Sequence, residues 1–223
     1  MTSARVPVPA PAASAPAPDA LPAEVDALPA EVDARFRERA AAEGLLDAAW
    51  DIAESPIGPL LLAATQRGLA WVGFEEPRPG SGPVTDAAPD EQLERVAEWL
   101  GRRLLRVPRL LDPAHRQLDS YFAGRLHTFE LDVDLTGIPG FQRAVLEELR
   151  SVPYGVTSTY GELAARIGKP GAARAVGGAL NRNPVAIVVP CHRIVGAHGS
   201  LTGYAGGLER KRALLELEGA LLA

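Results

Sequence analysis

The spacing of apolar residues changes character several times along this chain, and each change marks an element. Between residues 60 and 74 the sequence LLLAATQRGLAWVGF is almost wholly apolar, broken only at Gln66-Arg67-Gly68. Short apolar runs separated by turn residues read as strands, so a hairpin is predicted with strands Leu60–Thr65 and Leu69–Phe74. Upstream, RFRERAAAEGLLDAAW (34–49) predicts a short helix weakened by Gly44, and downstream the Pro/Gly/Ser-rich stretch Pro77–Pro89 predicts a loop. The period then becomes helical. Asp90–Leu105 carries Leu93, Val96, Ala97 and Leu100 on one face, and Pro113–Ala123 forms a second helical pattern. HTFELDVDL (127–135) alternates and predicts a strand, and Thr136-Gly137-Ile138-Pro139-Gly140 marks a domain boundary.

Beyond that boundary Phe141, Val145, Leu146 and Leu149 recur at helical spacing, which predicts a helix over Phe141–Ser151 with these four in the core. Thr159 followed three residues later by Glu162 is a capping-box pattern opening a helix Thr159–Ile167. A Gly168-Lys169-Pro170-Gly171 turn leads into a second helix, Ala172–Leu180, the arrangement of a helix-turn-helix. That second helix is built from Ala, Val and paired Gly, and each helical Gly costs about 1 kcal/mol relative to Ala. Close approach to another surface would compensate, either a packed helix or a narrow nucleic-acid groove. Finally, the apolar run Val185–Val189 predicts a buried strand-like segment that breaks at Pro190-Cys191.

Residues 1–33 are Ala/Pro-rich and contain ALPAEVD twice, at 20–26 and 27–33. Proline in each copy and the scarcity of large side chains predict a disordered tail. The expected organisation is a tail (1–33), a first domain (34–135) and a second (136–223). The whole chain of 223 residues, 47% hydrophobic, suffices for one good core or two small ones. No apolar run approaches the roughly 18 residues of a membrane span, so no membrane association is expected. The formal charge of −5 argues against a nucleic-acid partner until it is divided. From Thr136 onward 10 Lys+Arg face 6 Asp+Glu, leaving 13 basic against 22 acidic residues before it. A mildly basic second half is compatible with DNA binding through one domain.

Candidate chemistry centres on Cys191, the single cysteine, between Pro190 and His192. It excludes an internal disulfide and fits a reducing cytoplasm. A thiol with pKa about 8.5 is mostly protonated at neutral pH, so nucleophilic use requires a basic or positive neighbour; His192 and Arg193 are the candidates. His115 and His127 read as surface or boundary residues, and without a second cysteine a zinc cluster has no support. No metal and no cofactor are expected.

The stretch IVVPCHRIV, together with PYG (153–155), TYGELA (159–164), ARAVGGALNRNP (173–184) and GYAGGLERKRALLELEG (203–219), resembles the O6-alkylguanine-DNA alkyltransferase family. The likeness is dense over the last ninety or so residues and reaches loosely back to SPIGPLLLAA (55–64). It implies an α+β protein: a small N-terminal domain with an antiparallel, ribonuclease-H-like sheet, and a helical, winged-helix-like C-terminal domain. The implied function is irreversible, stoichiometric transfer of an alkyl group from O6-alkylguanine, and by extension O4-alkylthymine, in double-stranded DNA to Cys191 of a monomer.

The resemblance also assigns roles. Cys191 is the nucleophile and His192 its base, acting through a water because adjacent side chains on an extended backbone point apart. Glu218 orients the histidine, Asn183 is the hinge between recognition helix and active-site segment, and Tyr160 assists protonation of the departing base. Arg174 fills the gap left by the extruded nucleotide. Ala173 and Gly177 let the helix enter the minor groove, and Lys211 is placed with this DNA-facing set, where it also supports the tyrosine. Tyr204, Ala205, Ile194 and Leu180 form the guanine pocket, with the carbonyls of Cys191 and Ile194 as acceptors for the exocyclic amine. Two rival readings remain open: a non-catalytic helix-turn-helix lesion sensor, and a Cys-His-Glu hydrolase that turns over.

Overall fold

The computed structural model describes residues 29–74 and 90–221. The tail to residue 28 and the Pro77–Pro89 loop lie outside the described residues. Helix α1 (Ala30–Ala42) is followed by strands β1 (Ala48–Ala53), β2 (Leu60–Thr65) and β3 (Gly68–Phe74). Helix α2 (Asp90–Leu100), strand β4 (Leu104–Arg106) and helix α3 (Pro108–Phe122) complete the first half. The sheet order is β3-β2-β1-β4; the three long strands are antiparallel and β4 lies parallel to β1. The continuous apolar run of β2 reflects burial on both faces. Leu60 and Leu62 enter the main core, and Leu61 and Ala63 join Trp50 and Val96 in a second cluster under α2.

Several sequence expectations are corrected here. The helix expected over 34–49 begins earlier, at Ala30 within the second ALPAEVD copy, and ends at Ala42, while Ala48–Ala53 is a strand. The sheet decides that outcome, since β1 pairs on both sides, with β2 and with β4. Helix α2 stops at Leu100 instead of Leu105, because Gly101 adopts φ +118, where a side chain would be strained and would meet the Asp47 carboxyl. Residues 127–135 are largely irregular, tied to the hairpin by a backbone bridge from Val133 to Leu69 and by Thr65 and Arg67 donating to the Asp134 carboxylate.

The C-terminal half comprises α4 (Gly140–Leu149), a short β5 (Ser158–Thr159), α5 (Tyr160–Arg166), α6 (Ala173–Asn181), β6 (Ile194–Val195) and α7 (Leu208–Leu217). Thr159 caps α5 with the reciprocal Glu162 bonds of a capping box. Helices α4, α5 and α6 pack through Val145, Leu146, Leu149, Leu163, Val176 and Ala179. Phe141, expected in the core, is 39% exposed; it sits at the helix start, where the inward face is taken by Gln142. One core is shared by both halves, running from Leu60 and Tyr121 to Val189, Ile194 and Leu214. Apolar burial at roughly 25 cal/mol per Å² therefore ties the domains together, and the site lies where they meet.

Candidate active site

Residues Val185–Val189 are buried but are not a strand. They form a compact turn closed by Val189 N–H donating to Val185 O, with Ile187 at φ +70. A β-branched residue in the left-handed region carries strain of about 1–3 kcal/mol, so the surroundings must impose it. Two supports are visible. Asn183 accepts from Val185 N–H at 3.1 Å and donates Nδ2–H to Val189 O at 2.8 Å. Strand β3 of the first domain grips the same segment, Val72 N–H donating to Pro184 O (2.8 Å) and Ala186 N–H to Val72 O (3.1 Å).

The turn delivers Cys191 into a single 3-10 turn, Cys191–Arg193, rather than an extended segment. Cys191 is 8% exposed and lines a cleft of about 810 Å³ between the domains. Asn183 Nδ2 also donates to its sulfur at 3.2 Å. Burial nevertheless dominates and holds the thiol above its ordinary pKa, against the lowering effects of the Asn183 bond and of Lys211. The resting sulfur is therefore protonated, and reaction requires a base.

His192 is fully buried, and its Nε2 lies 2.9 Å from Glu218 Oε1. Burial lowers the imidazole pKa, outweighing the opposing effect of Glu218, while the carboxyl of Glu218 is held down at about 2, the bonds from His192 and Arg193 outweighing burial. An ionised carboxylate only accepts, so the imidazole proton sits on Nε2. Nδ1 is left bare, buried and without a hydrogen-bond partner. A neutral imidazole with a free lone pair, next in sequence to a protonated thiol, has the protonation state a general base requires.

Glu218 is more heavily engaged than the sequence suggested. Arg193 donates Nε–H to Oε2 and Nη2–H to Oε1, both at 2.9 Å, and Nη1–H to Val152 O at 2.7 Å. Arg193, which the sequence offered as an activator of the thiol, thus spends its charge on Glu218. Tyr121 of α3, unremarked in the sequence beyond its helical position, donates its hydroxyl to Oε1 at 2.7 Å. The only signal available for it was a phenol at a core position, whose O–H must find a partner.

Two domain families match this chain: the 6-O-methylguanine DNA methyltransferase ribonuclease-like domain over residues 49–135, and the DNA binding domain of the same name over 140–220. The chain belongs to the 6-O-methylguanine DNA methyltransferase family. Methylated-DNA–protein-cysteine methyltransferases of Methanosarcina acetivorans and Mycobacterium tuberculosis H37Rv are 46% and 47% identical. These alignments cover 76% and 74% of this chain and 97% and 88% of the relatives. The crystal structure of M. tuberculosis OGT in complex with DNA has a TM-score of 0.63 at 43% identity, over 77% of this chain and 92% of that one. The O6-methylguanine-DNA methyltransferase of Pyrococcus kodakaraensis KOD1 gives 0.51 at 27% identity, over 77% and 99%. The fold class is thereby the α+β arrangement expected from the sequence.

Beside His192, Glu218 and Asn183, the residues that the family resemblance singled out fall into three groups. Leu180, Cys191, Tyr204 and Ala205 line the common cleft; Ile194 does not, being fully buried in β6. Its carbonyl already accepts Lys211 Nζ at 2.6 Å, and the Cys191 carbonyl accepts the N–H of Ile194, three residues on, closing the 3-10 turn. Tyr204 packs edge-on against Phe74 at 5.7 Å, and its buried hydroxyl has no partner. Gly206 permits that approach, since a Cβ there would lie 2.5 Å from the Phe74 ring.

The second group is the α6 face. Ala173 and Gly177 are partly exposed and Arg174 is exposed. Tyr160 packs its ring on Gly177, where a Cβ would stand 3.7 Å away, and its hydroxyl lies 3.4 Å from Thr202 O. It is not among the residues lining the Cys191 cleft. The third group is Lys211 alone, and it requires correction. It is 0% exposed, with Nζ donating to Ile194 O and Thr202 O (2.7 Å), so it pins the loop that carries Tyr204 and offers nothing to a phosphate. Among the described residues no three His, Cys, Asp or Glu side chains converge as a metal site. No helix among them is long and apolar enough to cross a membrane.

Proposed function

We propose that the chain repairs DNA as a monomer in the cytoplasm by moving the alkyl group of O6-alkylguanine to Cys191, once per molecule. The observation that carries this reading is the placement of a buried, protonated cysteine on the wall of a large cleft, next in sequence to a neutral imidazole whose other nitrogen is fixed by Glu218. His192 Nδ1 takes the thiol proton through a water. The sulfur then attacks the alkyl carbon in line, forming a C–S bond as the C–O6 bond breaks, and the departing guanine takes up one proton from Tyr160, which regains one from solvent as the His192 imidazolium releases its own to solvent. Charge is balanced, and a stable thioether remains.

An O6 substituent is enclosed in the duplex, so the base must leave the stack at a cost of a few kcal/mol. The α6 face supports that step, with small residues at Ala173 and Gly177 for groove approach and Arg174, exposed and without a hydrogen-bond partner among the described residues, to fill the vacated stack. The guanine occupies the space between Tyr204 and Cys191. Cys191 O accepts one bond and keeps a second lone pair for the exocyclic amine, whereas Ile194 O lies off the cleft and serves Lys211.

Intact mass after incubation with methylated duplex is the test. One methyl group is gained per chain, located at Cys191, and Cys191→Ala gains none. A lesion sensor would bind the duplex without any mass change, and a hydrolase would release product repeatedly from an unmodified chain. Light scattering should give the complex the mass of one chain plus one duplex, which checks the monomer.

A further inference from the structure

Helix α3 belongs to the first domain, yet it ends with its tyrosine inside the transfer site of the second. Tyr121 is 0% exposed and its ring is clamped by Phe122, Phe129 and Tyr154 at 5.3, 5.2 and 6.0 Å between ring centroids. The clamp leaves the hydroxyl one direction, toward Glu218 Oε1 at 2.7 Å. This oxygen also receives His192 Nε2–H and Arg193 Nη2–H, both at 2.9 Å. A carboxylate oxygen has about two lone pairs, so three donors crowd Oε1 and fix its azimuth about the carboxyl.

We propose that Tyr121 is a positioning residue of the alkyl transfer: its hydroxyl sets the orientation and basicity of the Glu218 carboxylate, and through it the tautomer and proton affinity of His192. The inference rests on the functional reading above and deepens it, because it makes the first domain a working part of the relay. Donation to a carboxylate stabilises its charge and lowers its basicity. Without the phenol, Glu218 becomes a stronger partner for imidazolium, and His192 holds a proton at higher pH. The other groups facing this relay are Arg193 and Cys191 on the 3-10 turn, Tyr154 and the Gly155 N–H in the loop after α4, Tyr204 in the loop before α7, and Lys211 on α7. None of these changes when only the Tyr121 oxygen is removed.

The test compares Tyr121→Phe with Phe129→Leu, which trims a ring packed on Tyr121 but keeps the hydroxyl. Single-turnover methyl transfer from duplex DNA is measured from pH 5 to 9, with thermal midpoints and DNA affinity for each protein. Tyr121→Phe is expected to slow transfer at pH 7 about fivefold to tenfold and to move the acid limb upward by about half a pH unit or more, with DNA affinity unchanged. Phe129→Leu should lower the midpoint and leave the acid limb where it is. An unmoved limb in Tyr121→Phe, or an equal shift in both variants, overturns the proposal and leaves Tyr121 a packing residue. Failure of the functional reading looks different: the unaltered protein then gains no methyl group at any pH.

Discussion

Replacing Glu218 by Gln tests the buried relay most directly, because the amide is the same size and removes only charge and acceptor capacity. The carboxylate takes five donated bonds, from Tyr121, His192, Gly155 N–H and two from Arg193. An amide must turn its NH₂ either against Arg193 Nε–H and Gly155 N–H or against the three donors at Oε1. In both orientations Arg193, 7% exposed at its side chain, is left a buried cation without a counter-charge. Breaking a buried pair from one side costs about 3–5 kcal/mol. The pKa gives an independent figure: a carboxyl moved from its ordinary 4.5 to about 2 corresponds to about 3 kcal/mol at neutral pH. For a chain of this size that is a fall in melting temperature of about 10 °C. The pKa is depressed on folding, so the contribution is present above pH 4.5 and lost as pH falls through about 2. Circular-dichroism melts at pH 7, 5, 4 and 3 should therefore show the gap between native protein and Glu218→Gln narrowing with acid. Transfer should fall at least a hundredfold, since the amide no longer selects the Nε2–H tautomer. Arg193→Met with Glu218→Leu should regain stability without regaining transfer. A melting temperature within 2 °C of native at pH 7, or transfer within twofold, would refute the account of the network.

Three further outcomes are expected. Without DNA, iodoacetamide should modify Cys191 slowly at pH 7 and faster as pH rises past 9, because burial holds the thiol up; a rate plateau below pH 7 would contradict this, and Asn183→Ala should displace the profile further upward. Arg174→Ala should slow transfer from duplex DNA about tenfold or more while leaving transfer from free O6-methylguanine unchanged; equal loss on both substrates would place Arg174 in structure and not in base extrusion. Lys211→Met strands the buried Ile194 carbonyl and should cost about 1–3 kcal/mol in urea denaturation, yet leave the salt dependence of DNA binding as it was. A phosphate-contacting lysine would instead reduce that slope by about one.

What could be read from the chain was whatever is decided locally. The Thr159–Glu162 capping box, the turn at Gly168-Lys169-Pro170-Gly171 and the hairpin around Gln66-Arg67-Gly68 depend on residues within a few positions of one another, and all three stand where they were expected. The expectations that failed depended on distant partners. Leu104–Arg106 continued the apolar pattern of α2, yet Trp50 and its neighbours take it as a parallel strand. The Val185–Val189 run looks like a strand by composition, because burial demands apolar side chains whatever the backbone does; Asn183 and Val72 make it a strained turn. The site follows the same division. Cys191, His192 and Glu218 were legible because a family motif carries them, whereas Tyr121 meets Glu218 across 97 positions and a domain boundary, with no local signature. A bond of that kind explains why the domains share one core. A relay that depends on a phenol from α3 and on β3 gripping the Pro184–Ala186 segment can be accurate only if the two halves do not shift against each other, and Leu60, Leu62 and Tyr121 packed with Val189, Ile194 and Leu214 oppose such a shift.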